Sequence, residues 1–126
     1  MEEVVKFTIP LNPITKKNHQ QIRKNRRTGR MFVAQSDAYM RYQGECGYFI
    51  KGRGLLIDYP VEVTTIFYMQ TRHVVDLPNL IAAIHDILTA HEVIKDDNCR
   101  IIQSVDGSRV EYDKENPRTE VIIKRM

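Results

Sequence analysis

Tryptophan is absent from this 126-residue chain, and cysteine, proline and glycine are sparse at two, five and six residues. Cys46 and Cys99 lie in unrelated segments with no CxxC spacing, so a disulfide framework or a thiolate zinc site lacks material. The four histidines, His19, His73, His85 and His91, form neither an HExxH nor an HxH pattern. Incidental histidines and reduced structural thiols are therefore expected. No apolar run approaches the ~20 residues that a membrane-spanning helix needs. The chain starts Met1-Glu2-Glu3, with acids where a secretory signal carries positive charge, so a soluble, cytoplasmic protein is expected. Repeats, low-complexity tracts and linker-like stretches are also missing.

What is present suits one folded domain over residues 1–126. Hydrophobic residues make up 42% of the chain, too many for disorder, and two domains of this total length would each have a marginal core. The net charge of +3 hides an asymmetry. Residues 1–53 carry eleven Lys and Arg against four Asp and Glu, whereas residues 54–126 carry eight against twelve. A basic first part and an acidic second part suggest two tasks, holding a polyanion and using carboxylates.

Along the chain, Val4–Ile9 reads as a strand closed by Pro10 and Pro13. Thr15–Met31 (TKKNHQQIRKNRRTGRM) holds seven basic residues and no acid, with Ile22 as its one aliphatic residue. It is either a surface loop or a long polar hairpin turning near Thr28-Gly29. Ser36-Asp37 can cap a helix running through Tyr39, Tyr42 and Cys46 toward Phe49 and Ile50. Pro60 opens an alternating strand, VEVTTIFYMQ. Asp76 then stands at the start of the clearest helix. Leu77, Leu80, Ile81, Ile84, Ile87, Leu88 and His91 share an arc of about 120° on it, with Asn79, Ala82, Ala83, Asp86 and Ala90 opposite. Pro78 falls in the first turn, where a missing N–H costs nothing. After the turn Asp96-Asp97-Asn98, residues 100–105 and 108–112 read as a hairpin around Asp106-Gly107, and Thr119–Lys124 as a last strand. The order βαβαβββ predicts a single α/β (α+β) domain, a mixed sheet with two main helices packed on it.

Three acids stand out: Asp76, Asp96 and Asp97. The helix between them is roughly 22 Å long at 1.5 Å per residue. They meet only if residues 92–97 fold back along it, a span of about 20 Å that six extended residues can cover. Brought together, they form an oxygen-rich site of the kind that Mg²⁺ or Mn²⁺ prefers. Asp is also a preferred helix cap and turn residue, which would explain these positions without chemistry. The basic stretch is either a solvated loop or an arm that tracks phosphates, with Lys16, Lys17, Arg23, Lys24, Arg26, Arg27 and Arg30 as the cations and Asn18 as a hydrogen-bonding neighbour. His85 and His91 have no paired ligand, and a hydrogen-bonded or exposed structural role is expected for both.

The segment D-L-P-N-L-I-A-A-I-H-D-I-L, followed by I-K-D-D-N, resembles the RusA family of Holliday-junction resolvases, in a DLPN-type branch. The pattern of an Asp opening a helix, an Asn in its first turn, an Asp near its third and an Asp-Asp pair after it falls here on Asp76, Asn79, Asp86 and Asp96-Asp97. Lys17-Asn18, opening the basic stretch after a strand and a proline, agrees with it. Two departures stand against the family's type member, Pro78 in place of a second Asp and Ala82 in place of a Lys.

The resemblance implies a Mg²⁺-dependent crossover junction endodeoxyribonuclease of DNA recombination and repair, with Mn²⁺ as a possible substitute. Asp76 and Asp97 would be catalytic metal ligands, with Asp96 as a further ligand and Asn79 and Asp86 in support. The arm, Lys16 to Arg30, would hold branched DNA, and water would attack in line to leave a 5′-phosphate and a 3′-hydroxyl. A homodimer is implied too, because a four-way junction has approximate two-fold symmetry and needs two symmetric nicks. The rival readings are a junction-binding protein whose catalysis lapsed with Pro78 and Ala82, a less selective nuclease, and an adaptor whose arm meets an acidic protein.

Overall fold

The computed structural model describes residues 1–16 and 20–126. Its elements are β1 (Glu2–Ile9), β2 (Gln20–Lys24), β3 (Met31–Gln35), α1 (Asp37–Cys46), β4 (Val61–Met69), α2 (Leu77–Ala90), β5 (Ile102–Ser104), β6 (Arg109–Tyr112) and β7 (Arg118–Arg125). The main sheet has the order β1-β7-β4, with β5 and β6 both on the far edge of β4. The β1–β7 and β7–β4 pairs are antiparallel, and β5 and β6 run parallel to β4. The result is a mixed sheet with two helices, the expected α+β architecture. Among the described residues, no helix is long and apolar enough to cross a membrane.

Alternation places one face of each long strand in the core. Three rows of side chains cross the sheet: Val5, Ile123 and Val63; Phe7, Val121 and Thr65; Ile9, Thr119 and Phe67. All nine are buried. Leu80, Ala83, Ile84, Ile87 and Leu88 of α2 and Tyr39, Tyr42 and Cys46 of α1 belong to the same core. Burial pushes the Cys46 thiol up to about 12, so it packs as a small apolar group. The apolar arc of α2 is wider than its periodicity implies. Ala83, expected on the polar side, is buried, and so is His85.

A parallel pair needs a crossover, and α2 supplies it between β4 and β5. Its C-terminus turns sharply. The Val93 N–H donates to Leu88 O (2.9 Å) and the Glu92 N–H to Thr89 O (3.1 Å), with Glu92 in the left-handed region at φ 59°. This is a Schellman closure, sealed by the buried pair Val93 and Leu88. Glycine normally takes the left-handed position, which is why no stop signal is visible there in the sequence. The turn sends residues 93–95 alongside Ile57, with the Ile57 N–H donating to Val93 O and the Lys95 N–H to Ile57 O. His91, placed by periodicity on the apolar arc, is instead the C-cap, its Nε2 2.8 Å from Gln43 O.

Two further expectations are corrected, and one open alternative is decided. The segments around Asp106-Gly107 are not a hairpin, because β5 lies beside Val61 and Glu62 and β6 beside Ile66–Met69, both pointing the same way. Gly107, at φ 83°, turns the chain outward and back. The Ser108 Oγ meanwhile accepts the Thr65 N–H (3.0 Å) that the interrupted ladder would leave unpaired. Pairing with the long edge of β4 outweighs the local turn signal. Helix α1 stops at Cys46, and residues 47–49 continue as tight i→i−3 turns. The basic stretch takes the hairpin alternative as a separate two-stranded ribbon, β2–β3.

Glu92 pays the left-handed cost of roughly 1–2 kcal/mol for a residue with a Cβ. Glu92→Gly should therefore raise stability by about 1 kcal/mol, read from urea unfolding midpoints at constant slope. An unchanged or lower midpoint would show that the Glu92 conformation carries no such cost.

Candidate active site and nucleic-acid interface

Two helix starts show what is unusual at Asp76. Ser36 caps α1 in the ordinary way, its Oγ accepting the Tyr39 N–H at 3.1 Å. Asp76 occupies the N-cap of α2 with extended backbone (φ −87°, ψ 122°), yet its carboxylate makes no capping bond. Its one side-chain partner is Asn79, whose Nδ2 donates to Oδ2 at 3.4 Å. The group is exposed at the positive end of the helix dipole, where negative charge is favoured. A cap alone does not account for it.

The Asp96-Asp97-Asn98 turn divides its two acids. Asp96 Oδ1 accepts the Asp97 N–H (2.8 Å) and Oδ2 accepts Asn98 Nδ2 (2.9 Å). The Asp97 backbone donor, then Asn98, hold the Asp96 carboxyl below the usual carboxylate range. Asp96 is thus spent on the turn. The Asp97 oxygens take no backbone or amide donor among the described residues.

Asp86, ten residues into α2 from Asp76, forms an ion pair with Lys16 at the base of the basic ribbon. The sequence groups Asp86 with the acids and Lys16 with the phosphate-binding cations, and the structure joins them. Asn79, Ala82 and Asp86 fall on one face of α2 by helical spacing. His85 lies beneath that face, 9% exposed, with no hydrogen-bond partner for Nε2. Burial lowers its pKa, opposed by the charges of Asp97 and Asp86. The expectation of a hydrogen-bonded or exposed His85 is thereby corrected.

Among the described residues, no three Asp, Glu, His or Cys side chains gather closely enough to hold one metal ion. Asp76 bonds Asn79, Asp96 accepts from Asp97 and Asn98, and Asp86 pairs with Lys16. The donors are all oxygen, as a hard divalent cation requires, and Mg²⁺ commonly takes only one or two carboxylates beside substrate phosphate. The donor chemistry fits such an ion, while the described residues of one chain form no three-carboxylate cage.

The ribbon carries the other half of the interface. It turns through Asn25–Arg30, where Asn25 Oδ1 accepts the Arg27 N–H at 2.9 Å and Gly29 adopts φ 73°. Arg23 is tied to Asp37 of α1 at 2.7 Å. Lys24, Arg26, Arg27 and Arg30 are exposed, and none has an acidic partner among the described residues. The Lys17 and Asn18 positions lie outside the described residues.

One feature beside Asp76 escaped the sequence reading. The loop after β4 lines an open cleft of about 490 Å³ with β6, and the Arg72 guanidinium stacks 4.0 Å above the Tyr112 ring. Thr71-Arg72-His73 reads in sequence as a strand exit. Only the parallel placement of β6 brings Tyr112 to it.

An α+β domain with a detached basic ribbon and exposed carboxylates around one helix has the make-up of a protein that handles nucleic-acid phosphates. A family model described as endodeoxyribonuclease RusA matches residues 10–124, and the chain belongs to that family. No curated protein matched the chain. The family comprises crossover junction endodeoxyribonucleases that bind branched DNA, depend in general on a divalent metal and act as dimers.

The hydrogen-bond pattern separates the side chain that caps its helix from the carboxylate that does not. Ser36→Ala should cost about 1 kcal/mol by loss of a working cap. Asp76→Ala should cost less than half of that, since only a weak dipole interaction is lost. Equal losses in urea unfolding would return Asp76 to a capping role.

Proposed function

We propose that this chain is a Mg²⁺-dependent, structure-selective endonuclease that resolves four-way DNA junctions by paired, symmetric nicks. The observation that carries the reading is the Asp76 carboxylate, held at the head of α2 without capping it, in a RusA-family chain with an exposed basic ribbon. Residues 1–126 act as one endonuclease domain, and cytoplasmic DNA is its substrate.

Asp76 and Asp97 are the proposed metal-holding catalytic residues, with Asp96 and Asn79 beside them and Asp86 in support. The ion would supply charge neutralisation at the scissile phosphate and a more acidic water; Mn²⁺ would serve in the same role. The chain's own residues do the remaining work. Lys24, Arg26, Arg27 and Arg30 hold the phosphate backbone, Asn79 orients Asp76, and the Lys16–Asp86 pair fixes the base of the ribbon on α2. The products are a 5′-phosphate and a 3′-hydroxyl.

A homodimer places two such sites under the symmetry of the junction. It also offers each site the carboxylates of a second copy, which matters because the described residues of one chain do not gather three. The same shortfall, with Pro78 and Ala82, favours a second reading: a junction-binding protein without cleavage.

One assay separates the two. A four-way junction and its linear control are incubated with Mg²⁺, Mn²⁺ or chelator, alongside gel shifts on the same DNAs. Paired nicks confined to the junction are expected in either metal. Asp76→Asn and Asp97→Asn should each reduce cleavage at least a hundredfold, a loss of about 2.7 kcal/mol of transition-state stabilisation, with junction affinity retained. Binding without nicks in both metals would establish the second reading, and unaltered cleavage by Asp97→Asn would remove that residue from the site.

A further inference from the structure

The basic ribbon is not uniformly polar. Ile22 is 73% exposed and Met31 63% exposed, on an element that pairs with no other strand among the described residues. Their placement follows from the register. Lys24 is opposite Met31 and Ile22 is opposite Val33, so Ile22, Lys24 and Met31 share one face. Arg23, opposite Phe32, belongs to the other face and is bound to Asp37 of α1. The Arg23 face is tied to α1 through that ion pair, with Phe32 on it 47% exposed, and the Ile22–Met31 face is the more open to solvent.

Two large apolar side chains on an outward face contribute nothing to the core. The cations around them determine what can cover them. Lys24 stands between them on the same face, and Arg26, Arg27 and Arg30 follow in the turn, all exposed. A purely apolar partner would have to desolvate those charges. A polyanion that also presents apolar surface satisfies both demands. DNA does so where its bases are unstacked, and isoleucine and methionine are among the side chains that wedge between base steps. A two-stranded ribbon has the width to enter a groove.

We infer that the Ile22–Met31 face of the ribbon contacts the unstacked bases at the crossover of branched DNA and confers the preference for junctions over linear duplex. The inference rests on the junction-endonuclease reading above and deepens it. The cations bind phosphates on any DNA, whereas the apolar pair adds affinity only where base faces are open. Specificity and charge thus reside on the same strands but on different side chains.

The test uses the full chain without added divalent metal, so that cleavage does not intervene. The DNAs are a four-way junction carrying 2-aminopurine next to the crossover and a linear duplex with the same probe. The double variant Ile22→Thr/Met31→Thr keeps β-forming residues at both positions. It should bind linear duplex within about twofold of the unaltered protein and lose about tenfold on the junction, the equivalent of 1.4 kcal/mol. The rise in 2-aminopurine fluorescence on binding should shrink with it. Arg26→Gln/Arg27→Gln should instead weaken binding to both DNAs alike and lower the salt dependence. Unchanged junction affinity and fluorescence in the Ile22→Thr/Met31→Thr protein would overturn the inference, as would equal losses on both DNAs. If the unaltered protein bound both DNAs equally, the junction reading itself would fall, and this inference with it.

Discussion

The burial of α2 against β4 and β7 is the constraint on which the rest of the structure depends. β4 is paired along both edges, antiparallel to β7 and parallel to β5 and β6. The parallel pairing requires the chain to return to the start of β4, and α2 makes that return while covering the sheet. Its apolar arc leaves only one face for solvent, the face of Asn79, Ala82 and Asp86. Its two ends are fixed by the two ends of β4. Asp76 must therefore emerge beyond the end of β4, while Asp96 and Asp97 emerge on the way back to its beginning.

This geometry explains why the described residues of one chain gather no three-carboxylate cage. A helix of 14 residues holds its ends about 20 Å apart, and the Schellman turn at Glu92 directs the chain toward Ile57 instead of back along the helix. The acids are ordered separately, each by local bonds: Asn79 on Asp76, the Asx turn at Asp96, Lys16 on Asp86. Each group is held in place before any ligand arrives, which lowers the entropy that binding must overcome.

Much of this was legible in the sequence because period and chemistry agreed. The alternation of β4, the apolar arc of α2 and the Ser36 cap each reflect a local preference that the fold also uses. The misread elements are those where a distant partner decides. Asp106-Gly107 is a strong hairpin signal by itself, but the open edge of β4 offers six paired positions to a chain that keeps its direction. Glu92 stops α2 without the glycine that would announce it. His85 and Ala83 lie on the polar side of the helical wheel and are buried by neighbouring segments, which no wheel contains. For the site, residue types and spacing pointed to Asp76, Asp97 and the ribbon, whereas the cleft at Arg72 and Tyr112 depends on two segments forty residues apart.

The Lys16–Asp86 pair links the two halves of the molecule and reinterprets one departure from the family pattern. Ala82 leaves α2 without a lysine on its exposed face. Positions 82 and 86 are one turn apart on that face, and the Lys16 ammonium sits there, carried in by the segment between β1 and β2. Positive charge over this part of α2 is thus supplied by the arm and not by the helix. A helical lysine would be present whatever the arm did. Here the cation belongs to the segment that precedes the ribbon, so the face of the helix that bears Asp86 is electrostatically tied to the basic first part of the chain. Both partners are about one-third exposed, with side-chain accessibilities of 34% and 33%, so solvent screens the pair and its contribution to stability is small. Its consequence is positional: Lys16 is held on α2 and Arg23 of the ribbon on α1, while Ile22, Met31 and the turn stay open to solvent.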